Sequence, residues 1–468
     1  MGLKTFFRQQ ATAISLFVIV LLALALRLYH LDYQSLWVDE IASMNGADPD
    51  LNTSAVLQYS VVDQPPAYFL LLHNWLKIFP FNDLYGRLLA TLLGIAGVVV
   101  IFFLGKEVKN TRVGLIASLI TSLSYIHIYF SQEVRFYTLV FLSSSLSYLF
   151  FIRATKYEKG SDFILYALST ALVIYTHYFG LVVLVTQGIL FVLTVIFYSP
   201  NRRFIFLSTL SAIAIVVMIL PWIPVFFSDV QAEHFWIEMP LIYFPIQYFY
   251  VYFKDALSCF VFGPLILYYL FIQYKKFRSE STIDRIDFIL FGGVVFSFLI
   301  PLIYSIIQTP MLQERYTIIA LPSIIVIISL GFCLLKDKLR IILLIATCCS
   351  SFFSLVVIEK FYSKDRKEDW RGMATLVMQT SQPSDVVVSR HAWYCNYYFK
   401  SFQAPFRALL PGEFSIENKK PSGVWYLDGF DVRPIPDDIE INLLQHGYIL
   451  KKTDSLYKVR ASYYKLSN

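Results

Sequence analysis

A chain of 468 residues could hold several soluble domains, yet 57% of this one is hydrophobic and only 15% is charged. Soluble domains carry roughly 45–50% apolar and about 25% charged residues, so the composition, with a mean hydropathy of +0.59, excludes an ordinary soluble enzyme and points to a polytopic membrane protein. The formal net charge of +6 matters through its placement, and the 42 Phe and 32 Tyr suit a chain rich in interfacial and lipid-facing surface.

A transmembrane helix needs roughly 20 mostly apolar residues. Such runs fall near 11–29, 84–104, 113–130, 135–152, 162–178, 180–198, 204–227, 256–273, 286–307, 317–335 and 340–358, about eleven spans. The first follows Lys4 and Arg8 but exceeds the ~7–15 residue core of a signal peptide and lacks a small-residue cleavage site, so it reads as a retained span. Four cysteines (Cys259, Cys333, Cys348, Cys349) lie in apolar runs and Cys395 stands alone in a polar region, which leaves no internal disulfide there. Asn52-Thr53-Ser54 fits a glycosylation sequon, a triplet common by chance.

The connections alternate in charge. Lys4, Arg8, Lys106, Lys109, Arg112, Arg153, Lys156, Lys159, Arg202, Arg203, Lys275, Lys276, Arg278, Arg285, Lys336, Lys338 and Arg340 share one side. The other holds Lys77, Arg135, Lys254 and Arg315. This asymmetry predicts a cytoplasmic N-terminus and an extracytoplasmic C-terminal part. The expected division is a membrane module over 1–358 and an outer α/β domain over 359–468. In the latter, strand-like runs (Asp385–Ser389, Val424–Leu427, Ser455–Val459) alternate with helix-like pieces (Trp370–Thr380, Asp437–Gln445). The fold class is thus mainly α, a helical transmembrane bundle with a small α/β appendage.

The first outer loop, about 30–83, carries SLWVDE and then QPPAYFLLLHNWLKIFP. The second stretch is apolar but short and bracketed by prolines, which suits a helix lying in the interface. Another outer segment, 228–254, reads as an interfacial helix through Trp236, Tyr243, Tyr248 and Tyr250.

Unusual polar residues gather on the outer face. They are Asp39 and Glu40, with Asp63, Gln64 and His73 later in the same loop; Gln132, Glu133, Arg135 and Tyr137; His177 and Tyr178; Gln313, Glu314, Arg315 and Tyr316; and Asp369, Trp370 and Arg371. Ionisable groups at membrane boundaries are costly and raise a functional hypothesis by default. Each also has a plainer reading. Asp39-Glu40 fits an N-cap, Glu133 and Arg135 fit a structural pair, His177 fits a satisfied turn histidine, and Arg315 fits a snorkelling anchor. Asp369-Trp370-Arg371 fits the cap of a helix. The convergence of five such groups on one face is what favours a site.

SLWVDE, QPPAYFLLLHNWL, HIYFSQEVRFYTL, YTHYFGLVVLVTQ, QERYTIIALPSI and EDWRGMATLV together resemble the bacterial family-39-type membrane glycosyltransferases. These are similar to protein O-mannosyltransferases and lipid A aminoarabinose transferases, which share the GT-C architecture. The resemblance fades after about Asp385. It implies a bacterial inner-membrane enzyme that takes a sugar from a polyprenyl phosphate on the outer face, with inversion. A lipid, polysaccharide or protein hydroxyl would be the acceptor, and no nucleic acid would take part. The family's catalytic aspartate falls on Asp39, with Glu40 beside it. A carboxylate there can take the proton of a weak hydroxyl nucleophile as the new bond forms. The leaving phosphate needs a cation rather than an acid, a task for Arg135 and Arg315. Glu133, Tyr137, His177, Tyr178, Tyr316, Asp369 and Arg371 complete the expected substrate-binding set. Some relatives hold a divalent metal. His73 and His177 are possible ligands here, but no H-x-E or H-E-x-x-H spacing supports one, so a divalent metal stays possible and no metal ligand is assigned.

Two other readings fit a many-span chain with outer charges. A transporter or flippase of lipid-linked sugars would show internal repeats and broken helices in matched halves, and no such duplication is present. A polysaccharide polymerase would use a lipid pyrophosphate instead.

Overall fold

The computed structural model describes residues 3–62, 64–225, 237–280, 283–416, 421–429 and 437–467. Among these, nine helices are long and apolar enough to cross a membrane. The pair Thr111–Leu123 and Tyr125–Ser131, bent by 63°, makes a tenth if taken as one span, and Gly160–Thr176 is a shorter apolar helix. All eleven expected runs therefore have a helical counterpart. Side-chain caps set several of their starts. Asn82 accepts from the Tyr85 amide, Asn110 from Arg112 and Val113, Asn201 from Phe204, and Asp284 from Ile286. Each satisfies amides that a helix start leaves unpaired, a contribution of about 1 kcal/mol.

The bend in Thr111–Ser131 has an identifiable cause. Ser124 is extended (φ −64°, ψ 120°) and stops the first helix. The freed carbonyls of Thr121 and Ser122 are taken by Arg27, which also reaches Ser131 Oγ and His127 Nδ1. Arg27 lies wholly buried in the first span. Five planar donors let one guanidinium close the break, which an unpaired backbone inside a bilayer could not afford.

The first loop folds into three helices, Val38–Gly46, Thr53–Val62 and Ala67–Leu76. The last begins after Pro66 and buries Tyr68, Phe69, Leu72, His73 and Leu76 along one face, so the short proline-bracketed stretch packs onto the bundle. Further on, Phe244–Phe253 is helical, with Tyr248 donating to the Leu312 carbonyl while Tyr243 and Tyr250 stay exposed. Asp63 and Trp236 lie outside the described residues.

After the last span the chain builds a five-stranded sheet of order β2-β1-β3-β5-β4. Its strands are β1 (Val386–Ser389), β2 (Ala408–Leu409), β3 (Gly423–Gly429), β4 (Tyr448–Leu456) and β5 (Val459–Leu466). β1 pairs parallel with β2 and β3, whereas β3, β5 and β4 pair antiparallel. The expected helices Trp370–Thr380 and Asp437–Gln445 are present. The expected strand Ser455–Val459 is not one strand. It straddles the turn of the β4–β5 hairpin, because edge strand β4 is charged and exposed over most of its length and shows no apolar alternation.

One face of this sheet packs against helices Trp370–Thr380 and Ala392–Ser401, in a core continuous with Leu36, Ile41 and Met44 of the first loop. The other face has its own core of Val388, Val424, Tyr426, Ile439, Leu443 and Tyr464. The appendage is therefore packed directly against the loop that carries Asp39.

Candidate active site

The helix Val38–Gly46 starts with two carboxylates in its first turn, where the helix dipole favours negative charge. Successive helical residues point about 100° apart, and the two part company. Glu40 is fully buried. Its carboxylate takes Arg87 at two points, Nε at 2.9 Å and Nη2 at 3.0 Å, and also Lys367 Nζ at 2.7 Å. The amides of Val134 and Trp37 add bonds of 3.0 and 3.3 Å. Burial alone would raise this carboxyl, but Arg87 and then Lys367 outweigh it and hold the group down at about 2. Every acceptor position is occupied, so Glu40, expected beside Asp39 as a catalytic residue, is a buried structural anion that fixes the helix.

Asp39 faces the other way and keeps 30% of its side chain exposed, with Arg315 Nη1 3.7 Å from its carboxylate. Arg135 is buried, and its Nη1 donates to the Asp39 backbone carbonyl (3.2 Å) and to Ser43 Oγ (3.1 Å). It therefore orients the helix beneath Asp39. Arg315, 19% exposed, is steadied by Gln313 Oε1 at 2.9 Å and lies over the Tyr316 ring. Burial disfavours its charge, but Tyr137, Tyr316 and Asp39 together raise it, so Arg315 stays cationic.

The Tyr316 ring contacts His177 (4.9 Å) and Phe179 (5.1 Å), and His177 in turn contacts Phe136 and Tyr137. The buried His177 accepts the Phe179 amide on Nδ1 at 3.0 Å. That bond assigns the ring proton to Nε2, which has no hydrogen-bond partner among the described residues. Asp39, Arg135, Tyr137, His177, Arg315 and Tyr316 thus form one cluster, with half-buried Tyr178 in the same turn as His177.

Three expected substrate-binding residues stand elsewhere. Glu133 is buried with Lys367 Nζ 3.3 Å away, and burial together with the nearby Glu40 raises its carboxyl despite Lys367. It lines a separate cavity of about 40 Å³ with Arg87, Tyr129 and Arg366. Asp369 caps helix Trp370–Thr380, accepting from the Gly372 amide and Ser35 Oγ, both at 2.9 Å. Arg371 binds Asp32 Oδ1 at 2.6 Å and the carbonyls of Asp32 and Tyr33. Asp369 Oδ1 and the two terminal nitrogens of Arg371 therefore join the appendage to the first loop, while both residues also line a cavity of about 940 Å³ with Asp32 and Lys367.

Sequence reasoning passed over Arg27, Arg87 and Lys367. The first two sit inside apolar runs, where an ionisable residue is itself a signal. Both belong to the Asp39 end of the bundle, and adding them to that side leaves the charge asymmetry in the same direction.

No group of three or more His, Cys, Asp or Glu among the described residues converges to hold a metal. His73 instead shares a bond of 3.0 Å with the Asp48 carbonyl. Among the described residues no set fits a metal centre, and no step is assigned to one.

This bundle, with its carboxylate-bearing first loop and α/β appendage, has the GT-C fold of the membrane glycosyltransferases. Residues 63–226 match the family model described as dolichyl-phosphate-mannose-protein mannosyltransferase, a stretch that takes in SQEVRFY and YTHYFG but not Asp39. ArnT from Cupriavidus metallidurans in the apo state superposes with a TM-score of 0.67 at 10% identity, over 97% of this chain and 98% of that one. The same protein bound to undecaprenyl phosphate gives 0.66 at 10% identity, over 96% and 97%. The Archaeoglobus fulgidus oligosaccharyltransferase in the apo form gives 0.58 at 10% identity, over 91% of this chain and 70% of that one. At such identities the likeness is one of fold. No curated protein sequence matches.

Proposed function

We propose that this integral membrane protein transfers a sugar from a polyprenyl-phosphate donor to an acceptor hydroxyl at the outer face of a bacterial inner membrane. Residues 1–358 are the catalytic module, and 359–468 an outer domain beside the acceptor. The observation that carries the reading is the open Asp39–Arg315 pair, 3.7 Å apart, on a helix fixed from behind by Glu40 and Arg135. In the reaction the acceptor oxygen bonds to the anomeric carbon as the bond from that carbon to the phosphate oxygen breaks. Asp39 takes the hydroxyl proton, and Arg315 meets the negative charge that collects on the phosphate. One displacement of this kind inverts the anomeric centre. The Nε2 proton of His177, unpartnered and buried, is a donor suited to a phosphate or sugar oxygen in the same cluster.

A lipid-bound form of one fold neighbour, ArnT with undecaprenyl phosphate, supports the choice of donor, as does the AglB oligosaccharyltransferase with a dolichol-phosphate. The test is the lipid released on turnover by purified protein supplied with polyprenyl-phosphate sugars. Release of a polyprenyl monophosphate matched to the sugar transferred supports the reading. Turnover only of a lipid-pyrophosphate-linked sugar supplied in parallel, as a polymerase would give, overturns it.

A further inference from the structure

We infer that the membrane face opposite Asp39 carries a binding site for the headgroup of an anionic phospholipid. Helices Asp83–Val108 and Tyr137–Tyr157 both start beside the Asp39 cluster and run side by side to the other end of the bundle. From Arg87 to Lys106 the rise is about 28 Å, the thickness of a hydrocarbon core. There the two ends enclose a crevice of about 510 Å³. Lys106, Lys109, Arg153 and Lys156 line it, with Glu107 as the one carboxylate on its wall.

The plainer account makes these cations partners of helix C-termini and local carboxylates. It covers only half of them. Arg153 is held by Asp162 at 2.8 Å and Glu107 at 3.3 Å, and Lys156 by Glu107 Oε1 at 3.3 Å. Lys106 and Lys109 form no ion pair among the described residues, and both are exposed. They sit one turn apart on the same wall, so two exposed ammonium groups outside any close ion pair converge where Glu107 is already neutralised, although Lys109 also acts on Asp287 at longer range. Phe103, Leu149 and Phe150 continue the wall toward the bundle interior, with Phe103 46% exposed. A phosphate-bearing head above an apolar tail matches this sequence of surfaces, and basic pockets between spans are the usual seat of such lipids. Free phosphate would satisfy the lysines but not the aromatic wall.

The test is native mass spectrometry of the full-length protein titrated with phosphatidylglycerol, phosphatidylcholine or inorganic phosphate, alongside K106A/K109A. These two lysines are solvent-exposed and outside the Asp39 cluster, so transfer activity and melting serve as folding controls. The wild type should retain one more phosphatidylglycerol than the double variant. Its affinity should be higher by about twenty-five-fold, since each lysine near an anionic headgroup contributes roughly five-fold. Phosphatidylcholine and millimolar phosphate should not displace it. Equal retention by the variant, equal retention of phosphatidylcholine, or displacement by phosphate alone would each overturn the site.

Discussion

Replacing Glu40 by Gln separates a structural from a chemical role for the second carboxylate of the loop. The carboxylate closes on Arg87 at 2.9 and 3.0 Å and on Lys367 at 2.7 Å, with no exposure to solvent. An amide keeps the shape but removes the charge, leaving two cations buried against it. Breaking a buried pair from one side costs roughly 3–5 kcal/mol. The linkage argument agrees: lowering the carboxyl from 4.5 to about 2 corresponds to about 3 kcal/mol. That is a large share of the 5–15 kcal/mol typical of a folded protein. Because the folded value is depressed, this stabilisation is fully present above pH 4.5 and is lost as pH falls toward 2. Glu133, whose carboxyl is raised, works in the opposite sense, so the variant must be compared with the wild type at each pH. The assay is the melting midpoint of detergent-solubilised protein. Glu40→Gln should melt several degrees below the wild type at neutral pH, and the gap should narrow in acid. A Glu40→Gln protein that melts with the wild type yet has lost transfer would refute the structural assignment.

Two other substitutions probe the site and its support. Arg315→Ala should leave melting unchanged and lower kcat/KM by roughly a hundredfold or more, the usual effect of removing one charge-stabilising group. An unchanged rate with several donor concentrations would remove Arg315 from the chemistry. Arg27→Leu strips partners from the Thr121 and Ser122 carbonyls at the helix break. The Thr121 carbonyl keeps the Ser124 amide at 3.3 Å, so Ser122 is the acceptor left unpaired, at a cost of about 1–3 kcal/mol; the variant should melt lower, with Arg27→Lys intermediate because an ammonium lacks the planar fork. Equal melting of all three proteins would show that the break needs no cap.

The spans were legible because a bilayer demands long apolar runs, and all eleven runs have helices. The Asp39 cluster was partly legible through its ionisable residues. What the chain order could not show is direction. Asp39 and Glu40 are neighbours with the same chemistry, and only packing against Arg87 turns Glu40 inward. Arg87 lies in an apolar span and Lys367 in a charged run, and folding brings them together on Glu40 across the sequence. Asp369 and Arg371 carried the right chemistry for a ligand but stand at the joint to Ser35 and Asp32, away from the Asp39 cluster. The helix Ala392–Ser401 was missed because its aromatic-rich sequence favours strands in isolation. Its Tyr397 and Tyr398 instead reach Asp83 and bind the appendage to the first loop.

The central claim is that Asp39 takes the acceptor proton. Transfer from a polyprenyl-phosphate sugar, followed by mass spectrometry of the released lipid, tests it most directly in purified Asp39→Asn. The side chain is partly exposed and its one ion pair among the described residues is the 3.7 Å contact with Arg315, so the variant should fold, melt with the wild type and still bind donor. Loss of polyprenyl phosphate release under those conditions is the predicted result. Release at the wild-type rate would contradict it.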